Sequence, residues 1–375
     1  MVKVLNVISD SNIGGAGMVL LNYMKYRDND AFDVCVCLPE GSLLTQPLRE
    51  TGVAVYELAI SPDKSFDRKD IKVIKALIRA IQPDIVHTHS SLSGRIAARQ
   101  CGKTIIYTRH SVFPPGRLIS SPLGKLANKL VNEHYADRII AISPATREYL
   151  LNVGISDRLI DVTMNGVEPI TRAGDAECAA LREQFGIESG DFVCGILARI
   201  EPYKGHMIIL DAAKALKDEG RRLKILIAGA GVYEDEVKKK TQELGLTDTV
   251  VFTGFISDVA PFLSILDVQL NASYGTETSS LSLLEGMSIG LPAVVSDYGG
   301  NPYVITDGEN GLLFHNKDSL GLADCIRRLM DNPELLSLLG ESAAFIFNDR
   351  FTGRIFAQNI EGIYMKTLKG DKDGK

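Results

Sequence analysis

Short runs rich in Val, Ile and Leu alternate with segments of helical period along nearly the whole chain. In the first half, strand-like runs fall near 2–8, 33–38, 53–58, 84–88, 103–107, 138–142 and 160–164, and helical periodicity near 16–26, 68–81, 122–135 and 144–152. The second half repeats the pattern, with strands near 192–198, 223–228, 249–253, 267–271, 292–296 and 312–314. Apolar strands that alternate with helices predict α/β architecture, in which parallel sheets carry helices on both faces. A chain of 375 residues exceeds one comfortable core, so two doubly wound Rossmann-like domains are expected, with the linker near Val167 to Gly190. Ligands of such sheets bind beyond the carboxyl ends of the strands, which places the expected site in a cleft between the two domains.

The stretch Tyr274 to Pro292, YGTETSSLSLLEGMSIGLP, reads as a polar loop entering one helix, and the helix stops at Gly290. Thr278, Ser279 and Ser280 stand at the helix entry and Leu281 begins its apolar face. Hydroxyls there are expected to cap the helix, and its first-turn amides form a seat for a phosphate. Glu277 precedes that turn and Glu285 lies inside it. If both were helical they would stand about 80° and roughly 12 Å apart. With Glu277 on the loop, both carboxylates face one ligand lying across the helix start. The plainer reading makes Glu277 a solvated acid and pairs Ser282 with Glu285 as an ordinary cap.

Other strand ends carry candidate chemistry. SDSNIGGAG follows the first strand, and its Gly14, Gly15 and Gly17 permit a tight turn and close approach to a ligand, although G-x-G-x-x-G is absent. DIVHTH puts His87 and His89 on one strand face, and the next strand ends in Arg109 and His110. No carboxylate or thiol completes a metal set with these histidines, so they read as a polar cluster in which His110 donates to a substrate hydroxyl or phosphate. ARIEPYKG sets Arg199 and Lys204 five residues apart on one loop, the pairing that neutralises a diphosphate. Gly229 and Gly231 end the next strand, and Gly254, Phe255 and Ile256 the one after, where a flat base would rest on backbone and an apolar side chain. Gly299 and Gly300 make a turn before Asn301, a cap or a ligand contact.

Composition and charge narrow the classes. A formal net charge of −6 argues against nucleic acid as a partner. The six cysteines are scattered through apolar runs without a C-x-x-C pair, as in a reducing compartment. The N-terminus enters a strand directly with no signal-peptide pattern, and no run is long enough for a membrane span, so a cytoplasmic protein is expected. Lys69, Lys72, Lys75 and Arg79 surround one amphipathic helix; Arg117, Lys125 and Lys129 lie beside Leu118 and Ile119. Such surfaces suit either solvent or the anionic inner face of a membrane.

In order and spacing, GGAG, DIVHTHS, TRH, ADRIIAIS, NGVE, ARIEPYKG, IAGAG, FTGF, the Glu277/Glu285 pair and GGNPYVI resemble the retaining GT-B glycosyltransferases of the large glycosyltransferase family 4 (glycosyl transferases group 1). The resemblance implies an acceptor-binding domain over 1–168, a nucleotide-sugar domain over 169–348, and a C-terminal helix over 349–375 returning to the first domain. It implies that Arg199 and Lys204 hold the diphosphate with help from the helix start, that Glu285 binds the ribose and that Glu277 lies by the donor sugar. It further implies His110 near the transferred sugar or acceptor, and Gly15 near the donor phosphate or acceptor. Relatives commonly carry Gly-Phe-Gly after the first glutamate, where this chain has Thr278, Ser279 and Ser280, so the sugar does not transfer with the resemblance.

The activity so implied is a retaining transfer from a nucleotide-sugar, UDP-linked in first place and GDP-linked in second, to a lipid-linked, saccharide or small-molecule acceptor in envelope polysaccharide or glycolipid synthesis. No cofactor or metal is required, because two fixed cations neutralise the leaving group and no Asp-x-Asp motif stands in a strand-end loop. A nucleotide-sugar epimerase or hydrolase and a two-lobed sugar-binding protein are the rivals. A nicotinamide dehydrogenase lacks its fingerprint here.

Overall fold

The computed structural model describes residues 1–370. Near-continuous apolar runs become strands buried on both faces, as parallel pairing under two helical layers requires. The chain divides into two compact units, residues 1–167 with 352 onward, and Glu168–Phe351.

The first unit holds β1 (Val2–Ile8), β2 (Phe32–Pro39), β3 (Ala54–Leu58), β4 (Ile85–His89), β5 (Thr104–Arg109), β6 (Arg138–Ala141) and β7 (Ile160–Val162). All pairings are parallel in the order β3-β2-β1-β4-β5-β6-β7. Strand order reverses at β1 and β4, so the carboxyl ends of these two strands flank the natural ligand crevice of this sheet.

The helix Gly353–Lys369 closes this unit. Tyr364 is fully buried and packs edge-on against Tyr23 and Phe32, while Glu361 accepts from the Asp28 amide at 2.8 Å. A Cβ on Gly166 would lie 2.4 Å from the Thr352 carbonyl oxygen, so glycine is what lets the returning chain cross here.

The second unit holds β8 (Phe192–Leu197), β9 (Leu223–Ala228), β10 (Val250–Gly254), β11 (Val268–Asn271), β12 (Ala293–Ser296) and β13 (Gly311–Phe314). They run parallel in the order β10-β9-β8-β11-β12-β13, which puts the reversal between β8 and β11. The stretch read as a linker contains the helix Asp175–Gln184, and Ile170, Cys178, Leu181, Phe185 and Ile187 pack on Phe262, Leu263 and Leu266 of this unit. The spacing of Cys178, Leu181 and Phe185 is helical, but the surrounding glycines and acids hide that period in the sequence.

Candidate active site

The second unit supplies the denser constellation. After β8 the chain forms a short 3-10 turn, Pro202–Lys204, and then Gly205 at φ 79°. A Cβ on Gly205 would stand 2.0 Å from the carbonyl oxygen of Ala272, just past β11, so only glycine lets the two loops close together. Tyr274 donates its amide to the Tyr203 carbonyl at 2.9 Å, fastening the loops across the strand-order reversal.

Lys204 and Glu277 meet there, with Nζ donating to Oε2 at 2.8 Å. The same oxygen accepts from Asn271 Nδ2 at 3.2 Å and Ser273 Oγ at 2.9 Å. Burial pushes the Glu277 carboxyl pKa up, but the Lys204 charge and the three donors outweigh it, and the net shift is below the ordinary carboxylate value. Glu277 is therefore a fixed buried anion and not the solvated loop acid of the plainer reading. Gly299 and Gly300 press on this segment from the β12 side: added Cβ atoms would lie 2.2 Å from the Glu277 carbonyl oxygen and 1.9 Å from that of Thr278.

The helix Leu281–Ser288 begins directly after, with Ser280 at its N-cap. The expected hydroxyl cap is not formed. Ser280 Oγ pairs instead with Ser282 Oγ at 3.0 Å, and the Ser282–Glu285 cap is likewise not made. The Ser280 hydroxyl is turned toward that of Ser282, so the N-cap side chain accepts from no first-turn amide at the positive helix end. Ser279 Oγ is buried without a partner. Glu285, one turn in, has its carboxyl pushed up to about 7 by burial alone.

Arg199 follows β8, is exposed, and makes no side-chain hydrogen bond or ion pair with the described residues. Gly231 is fixed by packing, since a Cβ would sit 2.2 Å from the Ile200 carbonyl oxygen. Phe255 is 80 % exposed at the end of β10 and, with Ile256, lines an open pocket of about 490 Å³. A groove of similar size opens at the opposite, amino ends of β11 and β12, away from all of these groups.

In the first unit, Gly15 opens the helix Gly15–Tyr26, and Cβ atoms on Gly14 or Gly15 would meet nothing within 4 Å, leaving that turn approachable. Gly17 serves packing, with an added Cβ only 2.7 Å from Leu44. His110 is half-buried just past β5 and stacks on His89, with 2.8 Å between its Nε2 and His89 Nδ1. Burial, reinforced by the Arg109 charge, lowers its pKa to about 4. Among the described residues, no three His, Cys, Asp or Glu side chains gather as a metal site.

Sequence reasoning singled out Asn301 but missed Asn271, Ser273 and Ser296, the other polar residues under Glu277. Asn271 and Ser273 hold its carboxylate, Ser296 donates to the Ser273 carbonyl at 2.6 Å, and Asn301 donates to Ser296 at 3.2 Å. The available signal was the change from apolar to polar residues at the ends of β11 and β12.

Comparison with known proteins identifies the family. Residues 13–170 match the family model for Glycosyltransferase Family 4 and residues 179–344 that for Glycosyl transferases group 1. EpsD, a conjectured glycosyltransferase of Bacillus subtilis (strain 168), is 30 % identical over 292 residues, covering 74 % of this chain and 76 % of its own. A UDP-Gal:alpha-D-GlcNAc-diphosphoundecaprenol alpha-1,3-galactosyltransferase of Escherichia coli is 26 % identical, covering 89 % of each chain. The alpha-monoglucosyldiacylglycerol synthase of Streptococcus pneumoniae (strain ATCC BAA-255 / R6) is 27 % identical, covering 82 % of this chain and 73 % of its own. Among solved structures, Anabaena HepE in complex with UDP superposes with a TM-score of 0.83 at 21 % identity, covering 97 % of this chain and 99 % of that one. The chain belongs to the glycosyltransferases of the GT-B fold.

Proposed function

We propose that this glycosyltransferase takes its sugar from a nucleotide-sugar, UDP-linked in first place, and transfers it with retention to an acceptor at a membrane surface. The observation that carries the donor reading is the Lys204–Glu277 pair, set at the strand-order reversal beside an uncapped helix start. UDP complexes of HepE support uridine as the base.

In the proposed reaction the anomeric carbon–oxygen bond to the diphosphate breaks, and negative charge grows on the leaving phosphate. Arg199, Lys204 and the amides at Ser280 and Leu281 stabilise that charge, and Glu277 holds sugar hydroxyls through its second oxygen. The acceptor hydroxyl forms the new bond from the face the diphosphate leaves, and its proton passes to a phosphate oxygen. Preorganised charge supplies the largest share of such catalysis, and no metal is assigned a part. Titrating UDP-, GDP- and ADP-sugars into the intact protein in EDTA tests the donor assignment. Saturable binding of a nucleotide-sugar is expected; binding of NAD alone, or of no nucleotide, contradicts it.

The membrane reading rests on the helix Pro122–His134, which buries no residue. Leu123, Leu126 and Leu130 are 79, 53 and 61 % exposed, and Leu118 nearby 81 %. Arg117, Lys125 and Lys129 accompany this stripe, the pairing that seats a helix in anionic headgroups. Two relatives with lipid-linked or diacylglycerol substrates in their names support the reading. No helix of the described residues is long and apolar enough to cross a membrane. The intact protein is expected to float with phosphatidylglycerol vesicles and not with phosphatidylcholine vesicles. Replacing Leu123, Leu126 and Leu130 together by serine is expected to abolish flotation. Wild-type protein that stays in the bulk contradicts the reading.

A further inference from the structure

Between β13 and the helix Ser319–Met330 the chain makes a tight turn, in which the Asp318 amide donates to the His315 carbonyl at 2.9 Å. Both sides of this turn are fixed. The Asn316 amide and His315 Nδ1 meet the Asp297 carboxylate at 2.8 and 2.9 Å, and Asp318 caps the helix by accepting the Gly321 amide. Lys317, held between them, has a φ of 66°. Glycine takes that left-handed conformation at no steric cost, whereas the Cβ of a lysine crowds the neighbouring carbonyl. The turn lies at the carboxyl edge of the same parallel sheet as Lys204 and Glu277. A strained residue in such a place points to a use for its side chain.

Lys317 is exposed, and it forms no ion pair or side-chain hydrogen bond with the described residues, the adjacent Asp318 included. Its Nζ stands instead over the Tyr274 ring, 4.8 Å from the centroid, where an ammonium is drawn to an aromatic face. Tyr274 belongs to the seam of the candidate site. Its amide donates to the Tyr203 carbonyl, its ring packs partly buried on the core of this unit, and a Cβ on Gly275 would come within 2.4 Å of Tyr203 Cβ. Tyr203 directly precedes Lys204, and Tyr274 stands three residues before Glu277. We propose that Lys317 is a positioning residue for donor binding: its ammonium pins the Tyr274 ring, which holds the Tyr203–Lys204 turn against the Glu277 loop and keeps Lys204 set for the diphosphate. The proposal rests on the reading that Lys204 receives the diphosphate of the donor.

The test is calorimetric titration of UDP into the intact protein and its variants in EDTA. Lys317→Met keeps the apolar stem and removes the charge, and Tyr274→Leu removes the ring. Each is expected to weaken UDP binding roughly two- to fivefold, the scale of one exposed cation–π contact. Lys317→Arg restores a cation over the ring and is expected to bind as wild type does. The double variant Lys317→Met with Tyr274→Leu is expected to bind no more weakly than the weaker single, because both remove one contact. Lys317→Gly is expected to melt no lower than wild type, since glycine fits the turn, yet to lose as much affinity as Lys317→Met. A merely structural lysine does not produce that split. Wild-type affinity in Lys317→Met or Lys317→Gly overturns the proposal. So does a fully additive loss in the double variant, since a charge acting on the diphosphate through space needs no ring. If Tyr274→Leu does not fold, the Met, Arg and Gly variants at the exposed Lys317 still decide it. UDP bound by no protein, the wild type included, sinks the donor reading and this proposal with it; UDP bound equally by all overturns this proposal alone.

Discussion

Lys204→Ala is expected to reduce turnover about 10³-fold, the scale of losing one charge-stabilising group at a leaving oxyanion. It is also expected to destabilise the fold by about 3 kcal/mol, because removing one partner of a buried ion pair strands the other. Only 17 % of the Lys204 side chain and 5 % of that of Glu277 meet solvent, so the stranded carboxylate would keep only Asn271 and Ser273 as donors. The second substitution Glu277→Gln removes the stranded charge. The double variant is therefore expected to regain most of the lost stability and none of the lost turnover. Urea unfolding and steady-state rates on the wild type, both singles and the double check this. A Lys204→Ala protein as stable as wild type contradicts the buried pair, and one as active contradicts the diphosphate assignment.

Glu285→Gln is expected to raise the donor KM by roughly 10- to 100-fold, the cost of about 1.5–3 kcal/mol attached to hydrogen bonds with a charged acceptor. Its second effect has the opposite sign. Glu285 is half-buried, and its pKa is pushed up to about 7 from an ordinary value near 4.5. A carboxyl raised on folding favours the folded state fully below the unfolded pKa, and that contribution is lost as pH rises to about 7. Glutamine carries no such loss, so the variant's melting temperature is expected to gain on wild type progressively from pH 5 to pH 8. In the wild type the donor KM is expected to fall as pH rises through about 7, when the carboxylate forms to receive ribose hydroxyls. A KM unchanged in the variant, or a stability difference constant with pH, contradicts the assignment.

Much of the fold was legible because parallel strands are continuous apolar runs; even short β12, AVVS, and β13, GLLF, stand out between glycine- and proline-rich turns. The helix Asp175–Gln184 was hidden because its single apolar stripe sits among acids and glycines. The charged residues of the proposed site, Arg199, Lys204, Glu277 and Glu285, announced themselves at strand ends and a helix start. Their pairing did not. That Lys204 lies on Glu277, 73 residues further along the chain, depends on β8 and β11 being neighbours and on Gly205 fitting under Ala272.

The account depends on a nucleoside diphosphate being gripped in the second unit by Arg199, Lys204 and the amides that open Leu281–Ser288. Calorimetric titration of UDP into the intact protein in EDTA, set against Arg199→Ala, measures this directly, because Arg199 is exposed and its loss leaves the fold alone. The account predicts saturable one-to-one binding by wild type and affinity at least about tenfold weaker in the variant, the loss of one charge-assisted contact. Equal affinity in the two proteins, or no binding in either, would contradict it.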